Sequence, residues 1–246
     1  TVTDLAGTET INLSPGASVS SRALVGQSLG ALYGTGSQMN PNGSLLLDDN
    51  GFPMITASPL VLGDPNPDWT AGISNHLRWK NLSFSFLWDI KQGGDVWNGT
   101  RAVMDYLGVS KESGDLRGVT DFTFDGVLEN GETNTKSVDF ANPDHGLKGI
   151  YWRQYGFLNL AEKYIEDGSW ARLREVTIGY NLPIKRLTQR IDFSLSLYGR
   201  NLLLVSNYKG IDPETNLRGP SNAQGWDYFN LPNTSSFGLV LNATIK

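Results

Sequence analysis

Three pairs of carboxylates lie close enough together in the sequence to raise the question of acid–base chemistry. Glycoside hydrolases use two carboxylates, one as a general acid and the other as a base or nucleophile. Each pair here lies in a turn rich in Gly or Pro, where Asp side chains favour the local backbone geometry. We therefore expect structural roles, and we keep a secreted glycosidase as an alternative, testable by assaying hydrolysis before and after replacing Asp48 and Asp49. The pairs are Asp48 with Asp49, Asp64 with Asp68, and Asp212 with Glu214.

Other reactive or metal-binding patterns are weak. The run DDNG at Asp48 to Gly51 matches a fragment of a calcium loop, but the twelve-residue spacing and its terminal Glu are missing. His76 and His145 are the only histidines, they lie far apart in the sequence, and the chain has no cysteine. No Ser, His and Asp set has the context of a nucleophile elbow, and no GxGxxG follows a strand. We predict no catalytic residue, metal or cofactor, and so no enzyme.

The composition favours strands and turns over helices. Among 246 residues there are 28 glycines, 39% hydrophobic residues and 11% aromatic residues. No run of about 18 apolar residues predicts a transmembrane helix, although a spanning β-strand produces no such run. A net charge of −5 argues against nucleic acid as a partner. TVTDLAGTET at the start lacks the pattern of a signal peptide, so we expect any leader to lie upstream.

The clearest elements are long strands in which large apolar residues alternate with polar ones, because successive strand side chains point to opposite faces. Two of them flank a tight turn at Lys80 and Asn81, and two more form a hairpin within Ser169 to Leu204. The hairpin alternation puts Val176 and Ile178 on one face and Glu175 and Thr177 on the other. The predicted strands of this type are Trp69–Trp79, Leu82–Lys91, Glu175–Leu182, Ile191–Tyr198 and Phe237–Lys246.

Weaker patterns precede and separate these strands. Thr3 to Leu13 predicts a weak strand, SPGASVSS at Ser14 to Ser21 predicts a turn, and Ala23 to Gly34 predicts a Gly-rich strand. NGTRAVMDYLG predicts a short helix capped by Asn98 or Thr100. The total is about seven strands.

Loop lengths decide how such strands are used. Short connections alternate with long ones, and structureless loops of 30 or more residues are unusual in a compact soluble domain. Outer-membrane barrels have short periplasmic turns and long extracellular loops. The aromatic residues agree, because Trp69 and Trp88 fall near the long-loop end while Trp79 and Tyr180 fall near the other, as two girdles would. Since a bacterial barrel closes with an even number of strands, we expect a part of a barrel.

Four stretches in this order resemble the C-terminal part of SusC/RagA-type TonB-dependent transporters of the Bacteroidetes outer membrane. The resemblance implies an all-β fold, in which residues 1–246 form a C-terminal segment of a 22-stranded transmembrane barrel. The plug, the TonB box and the N-terminal domain of that family have no counterpart here. The family usually finishes on an aromatic residue, whereas this chain stops at Lys246, so either one residue is missing or that signal is altered. The stretches are PNPDWTAGISNHLRWKNLSFSFLWDIKQGGDVWNGT (Pro65 to Thr100), SWARLREVTIGYNLP (Ser169 to Pro183), YGRNLLLVSNYKGIDPE (Tyr198 to Glu214) and FGLVLNATIK (Phe237 to Lys246).

By the same resemblance, the whole protein would import an oligosaccharide or a peptide across the outer membrane. TonB would act through the missing N-terminal part, a SusD-like surface lipoprotein would cap the extracellular mouth, and the remaining barrel and membrane lipid would surround these strands. This segment would then supply a polar lumen wall opposite its lipid-facing residues. The predicted lumen-facing residues are His76, Arg78, Asp89, Glu175 and Arg200.

Aromatic residues in the long connections are the candidates for contact with a ligand or with the lid. Flat rings stack on sugars or pack against a protein surface. The alternative is that the same rings only hold their own loops together. The candidates are Trp97, Tyr106, Tyr151, Trp152, Tyr155, Trp226 and Tyr228.

The main competing fold is a soluble β-sandwich that binds carbohydrate. In a sandwich the alternating apolar residues pack sheet on sheet, whereas in a barrel wall they face lipid. Phe84, Phe86, Leu195 and Leu239 discriminate between the two, because the importer hypothesis requires all four to lie outside a dry protein core.

Overall fold

A computed structural model describes residues 1–16, 18–143, 149, 159–183 and 191–245. The chain divides into two compact units, each built from three separate stretches. The first unit comprises Thr1–Asn66, Gly94–Asp167 and Thr215–Asn230, and the second comprises Pro67–Gly93, Gly168–Glu214 and Leu231–Lys246. No helix in the described part of the chain is long and apolar enough to cross a membrane.

In its described residues, the first unit contains three small sheets and two short helices. Its elements are β1 (Thr10–Ser14), β2 (Val19–Leu24), β3 (Ala31–Gly34), β4 (Leu46–Leu47), β5 (Leu60–Gly63), β8 (Asp95–Asn98), α1 (Gly99–Leu107), α2 (Lys111–Leu116), β9 (Val127–Leu128), a 3-10 helix (Ala161–Tyr164), β10 (Ile165–Asp167) and β13 (Trp226–Asp227). A four-stranded antiparallel sheet has the order β1-β2-β3-β5, a three-stranded sheet has the order β10-β8-β13, and β4 pairs with β9.

The predicted strand at Ala23–Gly34 is wrong, because the chain turns back within it. β2 ends at Leu24 and β3 begins at Ala31, and the two strands pair with each other. Gly26 and Gly30 have φ angles of 84° and 83°, a left-handed conformation that glycine adopts without a Cβ clash. The strand predicted at Thr3 starts only at Thr10, and the predicted turn at Ser14 to Ser21 already contains the start of β2.

The predicted helix is confirmed at α1. The side chain of Asn98 accepts a hydrogen bond of 2.9 Å from the backbone N–H of Arg101, which satisfies one of the free donors of the first turn. Gly108 ends the helix in a left-handed conformation. On the buried side, Asp105 accepts a hydrogen bond of 3.0 Å from the hydroxyl of Tyr164. Burial raises the pKa of Tyr164, and the Asp105 charge and this hydrogen bond raise it further, so its hydroxyl stays protonated and holds α1 against the 3-10 helix.

In its described residues, the second unit is one antiparallel sheet of five long strands. The strands are β6 (Trp69–Trp79), β7 (Leu82–Gln92), β11 (Trp170–Leu182), β12 (Ile191–Ser206) and β14 (Ser236–Ile245). Their order in the sheet is β14-β12-β11-β7-β6, so each strand pairs with the one that precedes or follows it among these five. The five correspond to the five clear strand predictions, which are confirmed, whereas the two weak N-terminal predictions do not join this sheet.

The pairing register places the large apolar residues on one face of this sheet. Leu77 pairs with Phe84, Phe84 with Ile178, Ile178 with Leu197, and Leu197 with Leu239, which makes a continuous apolar row across all five strands. Within the described chain nothing encloses this face: Leu77 is 57% exposed, Leu197 54% and Leu239 63%. These residues do not form a dry core.

A bulge interrupts β11 between Leu173 and Glu175. On β7 their partners, Trp88 and Leu87, are consecutive, so Arg174 is an extra residue without a partner there. Apolar residues consequently occupy odd positions before the bulge and even positions after it. The bulge lets Leu173 and Val176, three residues apart, lie on the same apolar face.

Candidate functional site

The polar face of the five-stranded sheet carries the five residues predicted to face a lumen. His76 lies opposite Ser85 on β7, while Glu175 lies opposite both Leu87 and Arg200. By the alternation of each strand, Arg78 and Asp89 lie on this face too. The structure thus brings all five to one surface, and their exposure to a channel stays a prediction.

The middle of the polar face is charged and open. The Nε of Arg200 lies 3.0 Å from Glu175, and the Arg200 guanidinium also sits 5.1 Å from the ring centre of Tyr198. Beside this pair is an open depression of about 330 Å³ lined by His76, Ser85 and Glu175, among others. Polar donors, acceptors and a water-accessible ion pair are the groups expected of a wetted wall.

At one end of the polar face, the bulge residue Arg174 joins two acidic side chains. Its guanidinium contacts Asp89 on β7 at 3.0 Å and also pairs with Glu214, in the connection that follows β12. The same guanidinium lies 5.0 Å from the ring centre of Trp170. Arg174 therefore fixes the chain after β12 to two strands at once.

A second arginine secures the same connection. Arg172 donates a hydrogen bond of 2.6 Å to Asp212, and both side chains are buried. Asp212 also accepts hydrogen bonds from the backbone N–H of Glu214 and from Asn233, at 3.0 and 3.2 Å. Burial by itself would raise the pKa of Asp212, but these hydrogen bonds and the Arg172 charge lower it, so Asp212 remains a carboxylate.

The roles of these two arginines were not predicted from the sequence, although the sequence contains a signal for them. Leu173 and Val176 are both apolar but three residues apart, which breaks the two-residue alternation between charged side chains. Such a break, flanked by Arg172 and Arg174, is the pattern of a bulge that re-aims a side chain.

The candidate loop aromatics divide by burial. Trp97 and Trp226 are 5% and 2% exposed and pack edge to face, with ring centres 5.5 Å apart. Both rings belong to the core of the first unit. They therefore hold their own connections together, which was the alternative to ligand contact. Tyr228 stacks on Trp97 with ring centres 6.1 Å apart, yet remains 40% exposed. Of these three, Tyr228 is the ring that a ligand can reach.

Four other candidates are less informative. Tyr106 is half-buried on α1. Tyr151, Trp152 and Tyr155 lie outside the described residues, as does His145. Contact of any of these with a ligand or a lid stays a prediction.

The carboxylate pairs have structural partners. Asp48 accepts backbone N–H bonds from Asn50 and Phe52, at 2.9 and 3.0 Å, which closes its own turn. Asp64 likewise accepts from the backbone N–H of Asn66 at 2.9 Å. Burial by itself would raise the pKa of Asp64, but its hydrogen bonds, including one from Ser28, lower that pKa. Within the described ranges, no cluster of three or more His, Asp or Glu side chains is arranged to hold a metal ion.

Sequence comparisons find receptors of a single kind. TonB-dependent receptor P3 of Formosa agariphila is 32% identical over 211 residues, which make up 82% of this chain and 19% of that receptor. TonB-dependent receptor P26 of the same organism is 32% identical over 204 residues, with 80% and 19% covered. The chain thus spans about a fifth of the length of these curated relatives. No protein-family model matches it.

Structure comparisons agree on the fold. The RagAB peptide importer in its closed-closed state superposes with a TM-score of 0.59 at 18% identity, covering 96% of this chain and 24% of the other. Its open-open state gives a TM-score of 0.59 at 19% identity, with 97% and 24% covered. The fold of this chain is thus similar to about a quarter of a larger chain.

Proposed function

This chain corresponds to the C-terminal part of SusC/RagA-type TonB-dependent receptors of the outer membrane, and from that premise we propose that it serves in the import of oligosaccharides or peptides. Its role there is to supply five wall strands, the polar lining behind them, and connections that lie outside the cell. The whole receptor, not this segment alone, performs the transport.

The observation that carries the proposal is the exposed apolar row of Leu77, Ile178, Leu197 and Leu239 across the sheet. A soluble sandwich would cover such a row with a second sheet, and no described part of the chain does so. In a bilayer the same row contacts hydrocarbon instead of water. The transfer is favourable by about 25 cal/mol for each Å² of apolar surface removed from water. The soluble carbohydrate-binding module is therefore the weaker candidate.

The opposite face supports a hydrated passage. His76, Arg78, Asp89, Glu175 and Arg200 lie on this face. Since charged side chains in a barrel are tolerated toward the lumen and costly toward lipid, the polar face is assigned to the channel. There these residues keep the wall wet and contact the substrate or the plug as it moves.

A surface lipoprotein of the SusD type is the proposed partner at the extracellular mouth. RagAB, the similar transporter of known structure, is named as a peptide importer and has been solved in open-open and closed-closed states. A lid that opens and closes needs exposed contact points, and Tyr228 offers a half-exposed ring on a buried tryptophan platform. TonB would act on the part of the receptor that precedes this segment.

Import should be measured with the complete receptor in its own cells. Labelled oligosaccharides and peptides are supplied to wild-type cells, to cells without the receptor, and to cells without TonB. We expect uptake of one of the two substrate classes to require both proteins, and a tagged receptor to co-purify with a surface lipoprotein. Uptake that persists without the receptor, or that ignores TonB, would refute the proposal.

A further inference from the structure

The four-stranded sheet of the first unit has one face that packs inward and one that does not. On β2, Val19, Ser21 and Ala23 are buried, while Ser20 and Arg22 alternate with them and are only half-buried. Pairing places Tyr33 of β3 opposite Ser20. The outer face of β2 and β3 therefore presents a hydroxyl, a guanidinium and a phenol side by side on paired strands.

Arg22 is held in a defined orientation on this face. Its guanidinium lies 4.4 Å from the ring centre of Tyr33, and its Nε donates a hydrogen bond of 3.1 Å to Ser20. Stacking on a ring leaves the two terminal nitrogens of the guanidinium directed sideways, and no described acidic residue forms an ion pair with them. A stacked arginine whose terminal nitrogens lack an acid is arranged to receive an oxyanion with two parallel hydrogen bonds.

These groups line a cavity of about 510 Å³. That volume lies in the range of about 300–1,000 Å³ that small-molecule sites occupy, which is enough for one or two sugar rings. Of the described lining residues, only Arg22 carries a charge. The others include neutral hydrogen-bonding side chains, Asn12, Ser18 and Thr35, and the apolar Ile55 and Pro59.

We propose that this cavity is a binding site for an acidic saccharide unit, whose carboxylate or sulfate pairs with Arg22 while its hydroxyls bond to the neutral side chains. Tyr33 acts as a positioning residue that holds the guanidinium flat. The inference rests on the proposed function in one respect, since it gives the importer an extracellular subsite for acidic oligosaccharides.

A saccharide fits the site better than a peptide does. One recurring way for an extended peptide to bind is to add a strand to an open sheet edge, where main-chain hydrogen bonds supply the affinity. β2 and β3 lie inside the sheet order and already pair on both sides, so this face offers side chains instead of free backbone groups. Hydroxyl and amide side chains beside one cation match a ring that bears several hydroxyls and one acid.

The test is calorimetric titration of the complete purified receptor in detergent. The probes are digalacturonate, its methyl ester, a sulfated disaccharide and a tripeptide with a free carboxyl end. We expect one acidic disaccharide to bind about tenfold or more tightly than the neutral ester, because a charge-assisted pair is lost in the ester. The carboxylate and sulfate probes show which oxyanion is preferred. Binding of both acidic disaccharides that is no tighter than binding of the neutral ester, or tighter binding of the tripeptide, would overturn the proposal.

Variants assign the effect to the site. Arg22→Gln should remove the preference for the acidic probe, while Arg22→Lys keeps the charge without the planar fork and should restore only part of it. Tyr33→Phe keeps the stacking and should bind as wild type does, whereas Tyr33→Ala should weaken binding. Lys111→Gln, an equal loss of charge outside the cavity lining, is the matched control. An unchanged preference in Arg22→Gln would sink the assignment.

Binding and import can fail independently. The titration needs neither TonB nor a lid, so a wild-type receptor that binds the acid but imports nothing would contradict the proposed function alone. Conversely, TonB-dependent import that is unaffected by Arg22→Gln, for acidic and neutral substrates alike, would contradict this site alone.

Discussion

At the scale of single residues, the ion pair between Arg172 and Asp212 shows what burial does to charge. Both side chains are enclosed, and Asp212 also holds Asn233. Breaking a buried ion pair by removing one partner costs roughly 3–5 kcal/mol. Arg172 keeps a second acid, Glu214, 3.2 Å from its Nε, so the loss of the Asp212 charge falls at the lower end of that range. The exposed pair of Glu175 and Arg200 is screened by water and contributes about 0–1 kcal/mol.

We therefore expect Asp212→Asn to loosen the connection after β12, and Glu175→Gln to leave it unchanged. Limited proteolysis of the complete receptor at neutral pH would show faster cleavage within residues 207–235 only for the first variant. Equal cleavage of both variants would mean that the buried pair does not hold the connection.

The lowered pKa of Asp212 also predicts an acid dependence. A carboxyl whose pKa is lower in the folded state contributes stability above its ordinary value of 3.8 and loses it as the pH falls through the folded value. Hydrogen exchange in residues 207–235, corrected for intrinsic rates, should rise as the pH drops below that value. In Asp212→Asn this acid-dependent increase should be much smaller; an identical profile in both proteins would contradict the assignment.

Replacing each of two aromatic residues in one connection should reduce stability by different amounts. Trp226 is buried against Trp97, so Trp226→Ala should destabilise the first unit by about 3–5 kcal/mol. Tyr228→Ala removes a half-exposed ring and should cost about 1 kcal/mol. Denaturant unfolding followed by hydrogen exchange in residues 94–128 would measure both. A larger loss for Tyr228→Ala would reverse the assignment of core and surface.

At the scale of elements, the bulge in β11 reconciles an apolar face with a charged anchor. Deleting Arg174 leaves the alternation from Ala171 to Val176 unbroken along β7 but removes the link between Asp89 and Glu214. Inserting one residue after the bulge would instead keep the Arg174 link and break the alternation. A one-residue slip turns every following side chain to the other face.

An inserted serine between Ile178 and Gly179 should thus prevent assembly, while deletion of Arg174 should permit it. The readout is the heat-modifiable band of a folded barrel in the outer-membrane fraction. Deletion of Arg174 should add faster proteolysis of residues 207–235. A folded band for the insertion variant would show that the register of β11 is not fixed by its apolar face.

At the scale of the whole molecule, the sheet of the second unit has two open sides. β6 and β14 are its outer strands, and within the described chain neither has a second partner. In hydrocarbon each unpaired backbone group costs several kcal/mol, so the wall needs more strands before it can insert.

Residues 1–246 produced alone should accordingly aggregate or remain outside the membrane, whereas the complete receptor should give a folded outer-membrane band. Separate expression of the two proteins in one host, followed by membrane fractionation, makes the comparison. A folded monomer of the short chain in the membrane would contradict the open-sheet architecture.

The alternation of apolar and polar residues predicted the five long strands correctly. A sheet with one apolar and one polar face repeats its polarity every two residues, and no other pattern interrupts that repeat in most of these strands. The prediction of one strand at Ala23 to Gly34 was wrong, because this stretch has several glycines and no two-residue alternation of polarity. Two of the glycines adopt a left-handed conformation where the chain turns back into a hairpin. The cap at Asn98 was local enough to predict, since it depends on a residue three positions away.

By itself the sequence determined the wall strands, their two faces and the helix cap, since each depends on neighbours within a few residues. The tertiary structure decided which aromatic rings are buried and which acidic residues pair with Arg172 and Arg174. It also decided that Arg22, Ser20 and Tyr33 line one cavity. Most of those outcomes depend on residues far apart in the sequence, such as Trp97 with Trp226 and Arg174 with Asp89. Burial and charge pairing between such residues are set by how the chain folds back on itself.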